Sequence, residues 1–379
     1  MTKKTDFLHG LATGIGSMPH EEAEPALELI RKTLPYGPHW PQLPERGSTE
    51  SFVRQYLTPL QKLEIINTEE GGTPFFYDQQ EDWIEKEERF YQLYLQIEEE
   101  LKNDRNVKSY REAEDPLSFF AFPRDSASGF YRFLDEDWAD YPESPRFLKG
   151  HISGPLSVGL GVNAADGTNA FYKPNIRDIL TKTLCMVARF QVRALSRFSV
   201  PVVLFIDEPA LLAYGQSSYV SLSKDDIAES LGQVVSAVKN EGAYCGVHSC
   251  SGVDWSIFFD LPVDIVNFDA YSYFDSLVVY TEQVEAFLQQ GGCLAWGLVP
   301  TSEAIEKEDV ASLKARYYEG VERLTKRGVT KELLMKQFLL TPSCGAGTLT
   351  IPQTEKVYSI TSVLQKELSQ HLNGSDNRG

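Results

Sequence analysis

Residues 173–207, KPNIRDILTKTLCMVARFQVRALSRFSVPVVLFID, decide the fold class. Ile176, Leu180, Leu184, Val187 and Phe190 recur at three- and four-residue intervals, the spacing that lines side chains along one face of a helix. The apolar run PVVLFID (201–207) follows at once, bounded by Pro201 and Pro209 and short enough for a strand. Such a run shows no alternation because both of its faces are buried, as in a parallel sheet covered by helices. A βαβ unit results, with HISGPLSVGL (151–160) ahead of the helix.

The rhythm continues toward the C-terminus. Helix 223–242 leads to strand AYCGVHS (243–249), then to strand VDIVNFDAY (263–271) and helix 278–292. Strand CLAWGLVPT (293–301), helix 308–328, strand FLLTPSCG (338–345) and helix 354–372 complete the run, and LATGIGS (11–17) reads as a further strand. At least six β-then-α steps favour a TIM (β/α)8 barrel of the α/β class over an open doubly wound sheet. The expected layout is one domain over 1–379 with an elaborated loop and helix insertion at about 45–145. Within that insertion a helix at about 80–103 carries Phe90, Leu93, Tyr94, Ile97 and Leu101 on one face, and the aromatic, acidic segment 117–145 reads as a loop.

Bulk composition narrows the function. With 42% hydrophobic and 12% aromatic residues, the 379-residue chain has ample material for a core. A net charge of −18 opposes binding to DNA or RNA, which depends on lysine and arginine displacing counterions. No apolar stretch is long enough to span a membrane, and the N-terminus lacks the apolar centre of a secretory signal, so the expected location is the cytoplasm. There the five cysteines, spread over residues 185 to 344, read as thiols rather than disulfides.

Three stretches could carry chemistry. In VHSC, His248 and Cys250 stand two apart, so a strand turns both to the same side, while Cys245 faces the other way. Cys344, in TPSCG, ends a later strand, and in a parallel barrel all strand C-termini share one face. One imidazole and two thiols suit a tetrahedral Zn²⁺ with a position left for an exchangeable ligand; a coincidental His-x-Cys in a core strand is the plainer reading. In FIDEPAL, Asp207 and Glu208 either face a pocket, where one could hold an ammonium group, or begin the next helix. In TGIGSMPH (13–20) the backbone around Ile15 and Ser17 could offer N–H groups to a carboxylate or simply form a tight turn. The third glycine of a dinucleotide loop is missing.

Taken in order, TGIGSMP, GPLSVGL, FIDEPAL, VHSC, DIVNFDAY and TPSCG resemble the catalytic C-terminal barrel of cobalamin-independent methionine synthase, from about residue 11 to residue 350. That barrel belongs with uroporphyrinogen decarboxylase and the corrinoid-linked thiol methyltransferases. The resemblance implies a TIM barrel whose zinc activates a thiol, homocysteine first among candidates, for methyl transfer to give methionine. It implies His248, Cys250 and Cys344 as ligands, with Asp269 at the place of the family's fourth ligand, a glutamate one methylene longer. It places the substrate carboxylate at Ile15 and Ser17 and its ammonium at Asp207, with a further acidic residue from ERGSTESF, either Glu45 or Glu50. The family's folate-stacking tryptophan falls on Gly161, a folate-binding glutamate on Ala213, and the proton-donating histidine near Val299. The expected methyl donor is therefore not folate but a methylated corrinoid protein. A decarboxylase-type lyase would need arginines near the strand ends, which are sparse, and a non-catalytic corrinoid- or thiol-binding barrel is the remaining alternative.

Overall fold

The computed structural model describes residues 5–69, 71–103, 115–138, 144–219 and 221–373. Its strands, in chain order, are β1 (Leu11–Ala12), β2 (Ile66–Asn67), β3 (Phe75–Phe76), β4 (Leu148–Ser153), β5 (Val202–Asp207), β6 (Tyr244–Ser249), β7 (Ile265–Phe268), β8 (Cys293–Val299) and β9 (Phe338–Pro342). Seven of them form one parallel sheet in the order β1-β9-β8-β7-β6-β5-β4, while β2 and β3 make a small antiparallel pair. Helices between successive strands include Pro174–Ser196, Lys224–Asn240 and Val310–Thr325, and Ile351–Asn373 follows β9.

The sheet is curled, and its edges are held by the same five residues. On one side the Lys149 amide donates to the Pro38 carbonyl (2.9 Å) and the Trp40 amide to the Lys149 carbonyl (3.3 Å). On the other, the Gln42 amide donates to the Gly16 carbonyl (3.1 Å) and the Met18 amide to the Gln42 carbonyl (2.9 Å). The sequence here is PHWPQ; its two prolines lack N–H groups, so only isolated bridges form where a regular strand would run. The eight-stranded barrel expected from the βα count is thus found as a seven-stranded parallel sheet plus this bridging segment, which the sequence reading placed in no strand.

Two apolar clusters separate the faces of the sheet. Leu8, Phe147, Val203, Phe205, Ile265, Cys293, Ala295 and Leu339 form the inner one. The outer cluster joins Leu204, Ile206, Val247 and Trp296 to the surrounding helices and takes in Tyr56, Leu60, Phe76, Phe90, Phe122 and Phe130 from the inserted region. The inserted helix Trp83–Asn103 is further tied down where the Tyr91 hydroxyl donates to Asp178 (2.7 Å) and Arg189 donates to Glu98 (2.7 Å).

Some expected boundaries move. HISGPLSVGL divides: its strand begins earlier, at Leu148, and Pro155 starts the short helix Pro155–Leu160, where a proline's missing N–H costs nothing. The segment read as a loop at 117–145 holds the helix Ser128–Leu134, whose Phe130 and Phe133 are fully buried; residues 139–143 lie outside the described residues. No helix among the described residues is long and apolar enough to cross a membrane.

Candidate metal centre

Parallel pairing sets Asp207, His248 and Asn267 side by side on β5, β6 and β7, all turned into the curl of the sheet. Cys250 follows β6 by one residue and Cys344 lies two beyond the end of β9. One donor atom from each of His248, Cys250 and Cys344 lies within 4.8 Å of the other two.

The histidine is aimed by its neighbours. Asn267 uses its Nδ2 to donate to the Ala295 carbonyl (2.9 Å) and the Thr341 hydroxyl (2.8 Å), which leaves its Oδ1 to accept from His248 Nδ1. That bond assigns the proton to Nδ1, so Nε2, buried and without a hydrogen-bond partner, presents its lone pair. A side-chain acceptor behind a ligating imidazole is the usual way such a ring is oriented toward a metal.

The charges agree with a cation site. The Cys250 thiol is pulled down to about 4, first by the Cys344 thiol beside it and then, against the cost of burial, by His248. Cys344 is correspondingly held well above an ordinary thiol by the Cys250 sulfur and by burial. Burial opposes a charge on His248, but Cys250, Asp207 and Asn267 outweigh it and raise the imidazole above its ordinary value. These groups share protons that a divalent cation would displace, and two sulfurs with one nitrogen are a donor set that zinc accepts.

The trio borders a cavity of about 240 Å³, whose wall includes Ile15, Ser17, Asp207 and His151. Ser17 is fixed there by the loop after Cys344: its carbonyl accepts from the Ala346 amide (2.9 Å), and a Cβ on Gly345 would lie 2.1 Å from its hydroxyl. Asp207 turns inward with Oδ1 unpartnered, and burial raises its carboxyl to about 6 despite the nearby His248 and Lys149. Glu208 points elsewhere, accepting from the Ser157 amide (3.0 Å) and hydroxyl (3.0 Å) in the first turn of the earlier helix Pro155–Leu160. Asp207 thus faces the cavity, while Glu208, immediately before the short helix Pro209–Ala213, makes no side-chain bond that caps it.

Two expected residues stand apart. Asp269 is outside the three-residue cluster: its Oδ1 accepts from the Ser272 amide (2.7 Å), closing the turn after β7. Having one methylene less than glutamate, it makes this short-range bond to its own loop. Of the two glutamates, Glu45 is exposed and Glu50 buried, but Glu50 is engaged by Arg46 Nε (2.7 Å) and the Ser128 hydroxyl (3.3 Å).

Asn267, Lys149 and His151 belong to this centre although the sequence reading passed over them. The signal was present as alternation: in the buried strand LKGHIS, Lys149, His151 and Ser153 are polar at every second position. In DIVNFDAY, Asn267 shares the inward face with Asp269.

No family model matches the sequence, and no curated protein matches it. Among solved structures, the chain is similar to a B12-independent methionine synthase from Shewanella sp. W3-18-1 in complex with selenomethionine, at 13% identity over 60% of this chain and a TM-score of 0.43. The matched part spans 63% of that synthase's length. It is also similar to the β-glycosidase from the hyperthermophile Thermosphaera aggregans, at 11% identity over 92% of this chain and 86% of that one, with a TM-score of 0.30. Likenesses this loose carry no weight for activity, and the chemistry rests on the residues themselves.

Proposed function

We propose that this chain is a zinc-dependent methyltransferase that passes a methyl group to a thiol, homocysteine first among acceptors, from a non-folate donor such as a methylated corrinoid protein. The observation that carries the reading is the convergence of one donor atom each from His248, Cys250 and Cys344 within 4.8 Å beside a cavity of about 240 Å³. The scaffold proposed is a (β/α)8-type barrel in one domain, with Pro38–Gln42 in the eighth strand's place.

Each residue has a task. His248, oriented by Asn267, and the two cysteines would hold the metal; zinc so bound lowers the pKa of a substrate thiol so that a thiolate exists at neutral pH. Asp207 would accept from the substrate's ammonium through its bare Oδ1, and the backbone at Ile15 and Ser17 would position its carboxylate. Apolar walls, among them the half-buried Phe52 and Pro209, would limit water at the thiolate. The methyl group passes to the thiolate sulfur as its bond to the donor breaks, the electron pair staying with the donor. Asp269, held by the Ser272 amide and outside the three-residue cluster, is not assigned as a fourth ligand.

Metal analysis combined with a methyl-transfer assay from methylcobalamin to homocysteine tests the proposal. About one zinc per chain and measurable turnover are expected, both lost in the His248→Ala, Cys344→Ser double variant. Full zinc occupancy in that variant would sink the reading. Zinc-loaded protein without turnover from any methyl donor would favour a carrier over an enzyme.

A further inference from the structure

His151 is tightly packed between Trp40 and Gly16, yet its polar atoms are unused. It is 2% exposed, and neither Nδ1 nor Nε2 has a hydrogen-bond partner. One face of the ring stacks on Trp40, with centroids 3.8 Å apart and planes 22° from parallel. Another side lies against the backbone of Gly16, where a Cβ would come within 2.6–2.9 Å of three ring atoms. Gln191 locks the arrangement, accepting from Trp40 Nε1 (3.1 Å) and donating to the His151 carbonyl (3.0 Å). The ring is nonetheless part of the cavity wall that also contains Asp207.

Leaving a buried polar atom unpaired costs about 1–3 kcal/mol, so a rigid, bare imidazole facing a cavity is explained by a ligand that completes it. The groups around it narrow that ligand's chemistry. Asp207 Oδ1, a bare side-chain oxygen in the same wall, can only accept while ionised, so the group it meets is a donor. Burial, together with the nearby Lys149 and His39, keeps His151 neutral far below its ordinary titration range, so one ring nitrogen retains a lone pair and adds no positive charge. Lys149 itself is occupied, donating from Nζ to the Ile15 carbonyl (2.6 Å) beneath the cavity.

We infer that His151 is a substrate-recognition residue that accepts a hydrogen bond from a primary ammonium group, sharing that group with Asp207. The inference deepens the thiol reading and rests on it: it assigns the amine-selective contact to a residue on β4 rather than to Asp207 alone. A neutral imidazole and a carboxylate satisfy two of the three ammonium N–H groups, whereas a protonated imidazole would repel them.

Calorimetric titration of the zinc-loaded full chain with homocysteine, and with the same thiol lacking its amine (γ-mercaptobutyrate), tests this. Wild type should prefer homocysteine. His151→Phe, which preserves the stack on Trp40, should weaken homocysteine about tenfold and leave γ-mercaptobutyrate within about twofold, the scale of one hydrogen bond to a charged group. His151→Asn and His151→Gln place an amide oxygen near the Nδ1 and Nε2 positions respectively, so one of them should restore the preference even where the Phe ring is not accommodated. Equal weakening of both thiols in all three variants would mark a purely structural role and overturn the inference, as would unchanged homocysteine affinity. A wild type that binds zinc but neither thiol would instead overturn the thiol reading and this inference with it.

Discussion

Cys250 and Cys293 lie on the inner side of the same sheet and have opposite chemistry. Cys293, in the lower layer with Val203, Phe205, Ile265 and Leu339, is fully buried among apolar side chains, and burial alone pushes its thiol far above the ordinary range. Cys250, at the upper end, has Cys344 and His248 beside it and is pulled down to about 4. The apolar cluster of the lower interior therefore acts as a plug that keeps the Cys293 thiol neutral, and the upper interior uses that rigidity to hold polar atoms apart from water. Stability and chemistry are assigned to different layers of the same seven strands.

Substitutions can break that division. The largest effect is expected from Ile265→Ala, which empties part of the plug: a loss of about 2–5 kcal/mol in denaturant unfolding, with zinc stoichiometry unchanged in the folded fraction. Metal loss at unchanged fold would show that the layers are not separable. Two positions along the same strand, Asn267→Ala removes the acceptor behind His248, and zinc affinity should fall about 10–100-fold in a competition titration. Affinity unaltered by that change would mean Asn267 does not orient the ring.

A smaller effect sharpens the boundary through pH. His39 is fully buried in the bridging segment, its Nδ1 bonded to the Trp40 carbonyl (2.9 Å) and its Nε2 to the Tyr358 hydroxyl (2.8 Å). Burial, aided by Lys149, lowers its pKa to about 3. A base whose folded pKa is depressed contributes stability that is fully present above its ordinary value of about 6.5 and is lost as pH falls toward about 3. Wild type should thus lose up to about 1.4 kcal/mol per pH unit more than His39→Gln across that window, read from melting at each pH. Identical slopes would show that His39 does not titrate on unfolding.

How much of this is legible in the sequence depends on the range of the interactions. The strands β5, β6, β8 and β9 are readable because burial on both faces demands continuous apolar runs, and the proximity of His248 to Cys250 follows from strand alternation alone. The segment Pro38–Gln42 is not readable: two of its five residues are proline, and what makes it strand-like is the pair of edges it meets. Asp269 shows a third case, in which the position is right for a ligand but the shorter side chain is satisfied by its own turn. Alternation marks His151 only as a polar position in a buried strand; its trapped ring shows once Trp40 and Gly16, more than a hundred residues away in sequence, are seen packed against it.

Pairing of the first strand with the last has a consequence for biosynthesis. Leu11 and Ala12 register against Leu339 and Leu340, and Cys344 follows a few residues later, so neither this edge pairing nor the sulfur that completes the trio exists until residues 338–344 have been synthesised. Cys344 emerges 94 residues behind Cys250, which at about 5–20 residues per second is roughly 5–20 s. During that interval His248 and Cys250 are an incomplete pair on an open half-sheet. The ribosome's order of delivery thus makes assembly of these three side chains a late event, coincident with the docking of β9.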